Sequence, residues 1–222
     1  MRYLALAAAI AIAGTSGTAY AGPTIYTTQS AFLAAVGTTG VDTFDNFSNT
    51  GTTASPINRP AGVFSYTAAV STTSFFGAGS GSDHWLSTNT ATDTITFTNF
   101  SAGVRGVGGL FFGSDFNGLF QAGNVTLTAT DASGTSTFTI TSATVSSFLG
   151  FVSTGPLTSV TISAVQPAGG TLWPTVNNLT LASAATAGVP EPATWAMLFL
   201  GFGGMGYTLR RGRKVNARVR FV

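Results

Sequence analysis

Much of the chain alternates apolar and polar residues with a period of two. In 92–98 (TDTITFT), Thr occupies every second position while Ile95 and Phe97 point the other way. This period is typical of strands with one buried and one solvated face, and the Gly, Asn and Ser residues between the segments favour antiparallel pairing. The same alternation predicts further strands at 125–130, 135–141, 159–164 and 178–182.

The hydrophobic residues of this region are sufficient to build one core. Fifteen Phe residues lie between residues 22 and 183, and the alternation in 135–141 directs Phe138 and Ile140 inward. We therefore expect an all-β fold, an antiparallel β-sandwich of the jelly-roll type, over 22–183. A linker of small residues, 184–189, follows it.

One segment near the start of this domain has a different period. The sequence QSAFLAAV at 29–36 places Phe32, Leu33 and Val36 on one face of a short helix, which Gly37 ends. The sequence thus predicts a single short N-terminal helix beside the strands.

The first 21 residues have the three parts of a secretory signal peptide. Arg2 supplies the positive region, 4–13 is apolar, and the small residues of 19–21 (AYA) allow cleavage before Gly22. We expect 1–21 to be removed on export. A buried N-terminal helix is the alternative interpretation.

A second three-part segment ends the chain. The sequence Pro-Glu-Pro at 190–192 precedes an uncharged stretch, 193–209, which is long enough for a short membrane helix of about 25 Å. Trp195 and Tyr207 lie near its two ends, as aromatic residues do at membrane interfaces. The basic cluster that begins at Arg210 is expected to stay in the cytoplasm. The alternative is an ordinary single-pass anchor.

This arrangement resembles the PEP-CTERM sorting signal, in the variant with Trp-Ala after the second Pro. The residues that carry the resemblance are Pro190, Glu191, Pro192, Trp195, Ala196, Arg210 and Arg211. The resemblance implies that 190–214 is a sorting signal read by an exosortase, with a transient stage in the inner membrane and final release to the cell surface or exopolysaccharide. Such tails usually stop at the basic cluster, whereas this chain continues through 215–222. The same type of tail is also labelled an ice-binding protein C-terminal domain.

The charges of the chain are few and segregated. Charged residues make up 7 % of the sequence, against about 25 % in ordinary domains. Between residues 22 and 189 the only basic residues are Arg59 and Arg105, against six Asp. A nucleic-acid interface needs clustered Lys and Arg, so this domain is not expected to bind nucleic acid. The absence of Cys excludes disulfides and thiolate chemistry.

Catalytic motifs are scarce. Asp83-His84-Trp85 is the only place where a His, a carboxylate and an aromatic residue meet, and a hydrolase would have to bring a nucleophile and an orienting acid to His84 from elsewhere. No Gly-x-Ser-x-Gly sequence occurs. We therefore expect the protein not to be an enzyme and to need no cofactor.

A calcium site is the one metal site that the sequence favours. Asp42, Asp45, Asn177 and Asn178 lie near the two ends of the domain, which adjoin in many sandwiches. Carboxylate and amide oxygens suit Ca²⁺. Turns stabilised by Asp and Asn side chains explain the same residues without a metal.

The sequence indicates an exported structural or adhesive protein, associated with the cell surface or exopolysaccharide. The alternative is a carbohydrate-binding module that stacks sugars on Trp85, Trp173 or Tyr66. Ice binding by the regularly spaced Thr residues and hydrolysis at His84 rank behind it. An exposed Trp beside Asp or Asn would favour the carbohydrate-binding alternative.

Overall fold

A computed structural model describes residues 22–48, 50–72, 74–186 and 192–211. The predicted signal peptide (1–21), half of the linker (187–189), and Pro190 and Glu191 lie outside the described residues. The chain divides into two compact units, one ending at Ala185 and one beginning at Thr186.

Fifteen strands and two helices are found among the described residues. In the first half of the chain they are β1 (Thr24–Tyr26), α1 (Gln29–Ala34), β2 (Val36–Asp42), β3 (Thr52–Ala54), β4 (Ile57–Ala61), β5 (Phe64–Val70), β6 (Ser74–Ser80), β7 (Asp83–Thr88), β8 (Ile95–Thr98) and β9 (Val104–Ser114). In the second half they are β10 (Phe120–Gln121), β11 (Gly123–Asp131), β12 (Gly134–Ala143), β13 (Phe148–Val152), β14 (Leu157–Ala164), β15 (Trp173–Ala184) and α2 (Pro192–Arg211).

The strands form two antiparallel sheets. The larger sheet has the order β1-β13-β9-β15-β7-β6-β3, with β10 added beside β9 and β2 beside β15. The smaller sheet has the order β12-β11-β14-β8-β5-β4. Their buried residues merge into one main hydrophobic cluster. The predicted all-β sandwich is thus confirmed, while its finer assignment as a jelly roll stays a prediction.

The alternating segments behave as the sequence predicts. Four of the five lie wholly in strands, whereas of the segment 92–98 only 95–98 form a strand, β8. Ile95 and Phe97 are fully buried, while Thr96 between them is only half-buried. Phe138 and Ile140 pack against the core from the edge strand β12. Burying such side chains contributes about 1.5–3 kcal/mol each to folding, so the alternation fixes which face of each sheet turns inward.

The predicted helix exists but is shorter than expected. It begins after Thr28, whose hydroxyl accepts a hydrogen bond from Ala31 N, and it ends at Ala34. Phe32 is fully buried, whereas Leu33 is 43 % exposed and Val36 already belongs to β2. The expectation that all three residues form one helical face is therefore wrong, because the helix ends at Ala34 and Val36 begins a strand.

Candidate functional site

The C-terminal segment contains a helix where the sequence predicts one. Helix α2 covers Pro192–Arg211, including 193–209, and Pro192 is its first residue, where proline's missing N–H and fixed φ suit a helix start. Trp195, Ala196, Arg210 and Arg211 all lie in this helix. Within the described residues, no helix combines the length and the apolar character needed to cross a membrane. The predicted membrane span is therefore not confirmed.

A buried ion pair joins the two sheets of the domain. Asp42, the last residue of β2 in the larger sheet, accepts hydrogen bonds from Arg59 on β4 of the smaller sheet, at 2.6 Å from Nε and 2.7 Å from Nη2. The Tyr66 hydroxyl on β5 donates to the same carboxylate at 2.7 Å. Phe44 N donates to it as well, at 3.1 Å. Asp42 thus serves as a structural bridge, apart from the other predicted calcium ligands.

Burial and charge shift two groups of this bridge. Burial raises the pKa of the Tyr66 hydroxyl well above its usual value, and the negative charge of Asp42 raises it further. Burial lowers the pKa of the Arg59 guanidinium, but its hydrogen bonds and attraction to Asp42 outweigh this, so the pKa is raised. Both raised pKa values keep the Tyr66 hydroxyl and the Arg59 guanidinium protonated, so both can donate hydrogen bonds to Asp42.

The Tyr66 shift predicts a loss of stability in alkali. A tyrosine whose pKa rises on folding stabilises the fold fully below the unfolded pKa of about 10, and this contribution is lost as pH rises toward the folded pKa. We expect the free energy of unfolding to fall above about pH 10 by up to about 1.4 kcal/mol per pH unit. Urea denaturation across this range, on the wild type and on Tyr66→Phe, measures it. Equal slopes for the two proteins would contradict the assignment.

The other three predicted calcium ligands do come together, in what we call the acidic cleft. This cleft of about 490 Å³ is lined by Asp45, Asn177 and Asn178, together with Asp83 and Trp85 from β7. Asn177 Nδ2 donates to Asp83 Oδ1 at 2.8 Å. No local pattern connects Asp83 with Asn177, because the two are 94 residues apart.

A β-bulge shapes one wall of the acidic cleft. The pairing of β15 with β9 shifts between Asn177 and Thr180, and Asn178 takes the left-handed conformation, with φ of 51°. Its N–H donates to Asn177 Oδ1 at 2.7 Å. Bulges of this kind redirect side chains beside functional sites. Here the bulge turns two amide side chains toward one opening.

The acidic cleft offers only part of a metal site. Asp45 and Asp83 supply carboxylates and Asn177 and Asn178 supply amides, which are oxygen ligands of the type that Ca²⁺ uses. Among the described residues, no three His, Asp or Glu side chains lie close enough to hold a metal ion together. Calcium binding therefore stays a prediction.

His84 is held beside the acidic cleft by the backbone. Its Nδ1 lies 2.9 Å from the carbonyl oxygen of Phe47, and its backbone N–H points at Asp45 Oδ1 at 3.5 Å. The contact with a carbonyl places the proton on Nδ1.

Two of the three aromatic residues proposed for sugar binding are in the core. Tyr66 is 2 % exposed and Trp85 is 4 % exposed, with Trp85 packed edge-on against Phe112 at 4.9 Å between ring centroids. Trp85 Nε1 is buried and has no hydrogen-bond partner among the described residues. The prediction that these two rings stack on sugars is wrong, because both serve as core side chains. Trp173 is only half-buried and stays available.

Trp173 lines a second opening, which we call the aromatic cleft. Its volume is about 290 Å³, and its walls include Phe116, Asp115 and Asn117 from the β9–β10 loop and Asn89 after β7. The Phe116 ring meets Trp173 nearly edge-on, 6.1 Å between centroids with an interplanar angle of 67°. No local sequence pattern pairs the Phe116 ring with Trp173, because the two residues are distant in the chain.

The regularly spaced Thr residues form paired rows on the outer face of the smaller sheet. Three cross-strand pairs link β11 and β12 through hydroxyl contacts of 2.9–3.0 Å, namely Thr126–Thr139, Thr128–Thr137 and Thr130–Thr135. Thr128 continues the row to Thr161 on β14 and Thr96 on β8. These hydroxyls satisfy one another across the strands, which stabilises the sheet.

Comparison with known proteins identifies one segment of the chain. Residues 188–214 match the family described as PEP-CTERM protein-sorting motif, in agreement with the resemblance seen in the sequence. The motif implies exosortase-dependent export and sorting to the cell envelope or surface. No curated protein matches the chain. No solved structure matches it either.

Proposed function

We propose that this chain is an exported β-sandwich protein that an exosortase releases at the cell surface, where it acts without catalysis as a structural or adhesive component of the surface or exopolysaccharide. The observation that carries the proposal is the sorting motif at 188–214. In this scheme 1–21 directs export, the uncharged stretch before Arg210 holds the tail at the inner membrane, and cleavage frees the domain.

Two features of the tail support this route. Glu191 is the only Glu of the chain and lies between two prolines, which favour an extended backbone open to an enzyme. Large apolar side chains of α2 are exposed, among them Met197, Leu200 and Phe202, at 63–72 %. A bilayer would cover such side chains until the tail is removed.

The domain supports a binding or structural role for three reasons. Its two sheets are locked by a buried ion pair, its outer Thr rows are hydrogen-bonded across strands, and it presents two small clefts at its surface. The carbohydrate-binding alternative is favoured by one observation, the half-buried Trp173 beside Asp115 and Asn117.

The sorting step is tested by Glu191→Ala. We expect the wild-type protein to be recovered outside the inner membrane with an intact mass that lacks both 1–21 and the basic cluster. In the variant we expect the released fraction to fall at least about tenfold, because loss of a recognised charge costs a few kcal/mol. Cell fractionation and intact mass spectrometry of the native host's protein measure both quantities.

Thr194→Ala is the matched control, since it changes a position inside the same segment that the resemblance does not use. We expect it to be released like the wild type. Equal release of Glu191→Ala and the wild type would refute the role of Glu191. A full-length tail retained in the inner membrane in all three proteins would refute sorting and leave an anchored protein.

A further inference from the structure

We propose that the aromatic cleft is a binding site for one uncharged sugar ring within a neutral polysaccharide. This inference deepens the proposed surface role, because it gives the domain a site through which it could adhere. The cleft lies where the end of β9 meets the start of β15, with Trp173 paired to Ser114. It is separate from the acidic cleft, whose lining residues it does not share.

Two aromatic rings form an open corner in this cleft. Trp173 is half-buried and fixed in β15, while Phe116 is 80 % exposed, and their rings meet at 67°. The faces of aromatic rings carry partial negative charge, and the C–H groups of a sugar ring carry partial positive charge, so the two attract. A corner of this shape can contact one face and one edge of the same sugar ring.

The loop that carries Phe116 is fixed by its own hydrogen bonds. Asp115 Oδ1 accepts from Asn117 N at 2.8 Å and from Leu119 N at 2.9 Å, and Asp115 N donates to the Leu119 carbonyl at 2.8 Å. Gly118 takes a positive φ of 75°, and its carbonyl accepts from Gly79 N on β6. The ring is thus held away from the core by an ordered turn, which lowers the entropy cost of binding.

The rim of the cleft supplies polar groups that a sugar can use. The side-chain amides of Asn89 and Asn117 are exposed, and neither is used in a hydrogen bond within the part of the chain that the structure describes. Each amide offers a donor pair and an acceptor. Apolar walls with a few convergent polar groups are typical of small-molecule sites.

Buried hydroxyl groups beneath the cleft form a hydrogen-bond network. Thr175 Oγ1 donates to Ser114 Oγ at 2.8 Å, and Ser87 Oγ donates to the Pro174 carbonyl at 3.0 Å. All three hydroxyl-bearing residues are at most 1 % exposed. This network locks the strand ends that carry Trp173, so the aromatic corner keeps its shape.

Charge selects an uncharged ligand. Asp115 is the only ionisable side chain that lines the cleft, and no Lys, Arg or His lines it within the described residues. The two Arg residues of the domain are used elsewhere, Arg59 by Asp42 and Arg105 by the Val104 carbonyl. An anionic polysaccharide would meet one carboxylate and no cation, which is unfavourable. A volume of about 290 Å³ limits direct contact to a single ring.

The proposal is tested by isothermal titration calorimetry of the full chain. The protein is purified in lauryldimethylamine oxide, because glycoside detergents would compete for the site. The probes are cellohexaose and mannohexaose as neutral ligands and oligogalacturonate as the anionic one. We expect binding of at least one neutral probe and none of oligogalacturonate. Phe116→Ala is expected to weaken binding about tenfold or more, whereas Phe116→Tyr keeps the ring and the affinity.

Val63→Ala is the matched control, because Val63 is another apolar side chain exposed to a similar extent, 79 %. It is expected to bind like the wild type.

The proposal is overturned if no neutral probe binds, if Phe116→Ala binds like Val63→Ala, or if oligogalacturonate binds best. Sedimentation of the same proteins tests whether the aromatic corner instead contacts a second copy of the chain. The proposal is also overturned if the wild type is a dimer, Phe116→Ala dissociates this dimer, and no sugar binds. The purified protein undergoes no sorting, so failure here is distinct from failure of the Glu191 experiment.

Discussion

Replacing Asp42 with Ala is expected to destabilise the domain by about 3–5 kcal/mol, because it breaks the buried ion pair between the two sheets. The side chains of Asp42 and Arg59 are only 5 % and 11 % exposed. The substitution would remove the acceptor of the Tyr66 hydroxyl and the carboxylate that neutralises the Arg59 guanidinium, which would keep its hydrogen bond to Asn46 Oδ1. Breaking a buried pair costs far more than the pair contributes, because one buried charge remains uncompensated.

Denaturant unfolding of the Asp42→Ala and wild-type proteins measures this effect. Tyr66→Phe serves as a graded control, since it removes one hydrogen bond to the carboxylate and is expected to cost about 1 kcal/mol. Asn46→Ala removes an exposed contact to Arg59 and is expected to stay within about 0.5 kcal/mol of the wild type. A loss below about 1 kcal/mol for Asp42→Ala would show that the bridge does not hold the sheets together.

Gly40→Ala is expected to destabilise the domain by about 3 kcal/mol or more, near the upper end of the range for overpacked sites. Gly40 lies on β2, and a β-carbon there would overlap the carbonyl oxygen of Ala61 on the facing sheet. Backbone atoms cannot turn aside as a flexible side chain can, so β2 and β4 would have to separate. That separation would also strain the Asp42–Arg59 contact, which joins the same two strands.

Gly155→Ala is the matched control for this substitution. A β-carbon at Gly155 would meet no atom within 4 Å, so the change is expected to be neutral or stabilising by up to about 1 kcal/mol. Thermal unfolding of both variants under the same conditions gives the comparison. Equal melting temperatures would contradict the close approach of the two backbones at Gly40.

The missed strands show where periodicity fails as a signal. β9 contacts both β13 and β15 in the middle of the larger sheet, and most of its residues are buried on both faces. Gly106, Gly108, Gly109 and Gly113 interrupt its apolar run, so the segment does not alternate. A β-carbon on Gly106 would approach Phe32 and Val36, and one on Gly108 would contact Phe148. These glycines make room for side chains from distant segments, which no local pattern reveals.

The candidate sites depend on the same non-local information. Asp45, Asn177 and Asn178 share a cleft as predicted, but Asp42 does not join them because Arg59 and Tyr66 lie across from it. The sequence could not tell which of Trp85 and Trp173 is the more exposed, since an aromatic residue in a strand suits the core or the surface equally. Their different burial follows from the neighbours that the two strands acquire.

By itself, the sequence determined the sorting motif, the all-β class, and the inward faces of the Thr-rich strands. Each of these is a local property, because a recognition tail is read in chain order and a strand's two faces alternate with a fixed period. Tertiary structure alone decided the Asp42–Arg59 bridge, the two clefts, and the pairing of Phe116 with Trp173. Those contacts join residues 17 to 94 positions apart, and their geometry depends on strand order and register, which the whole core selects at once.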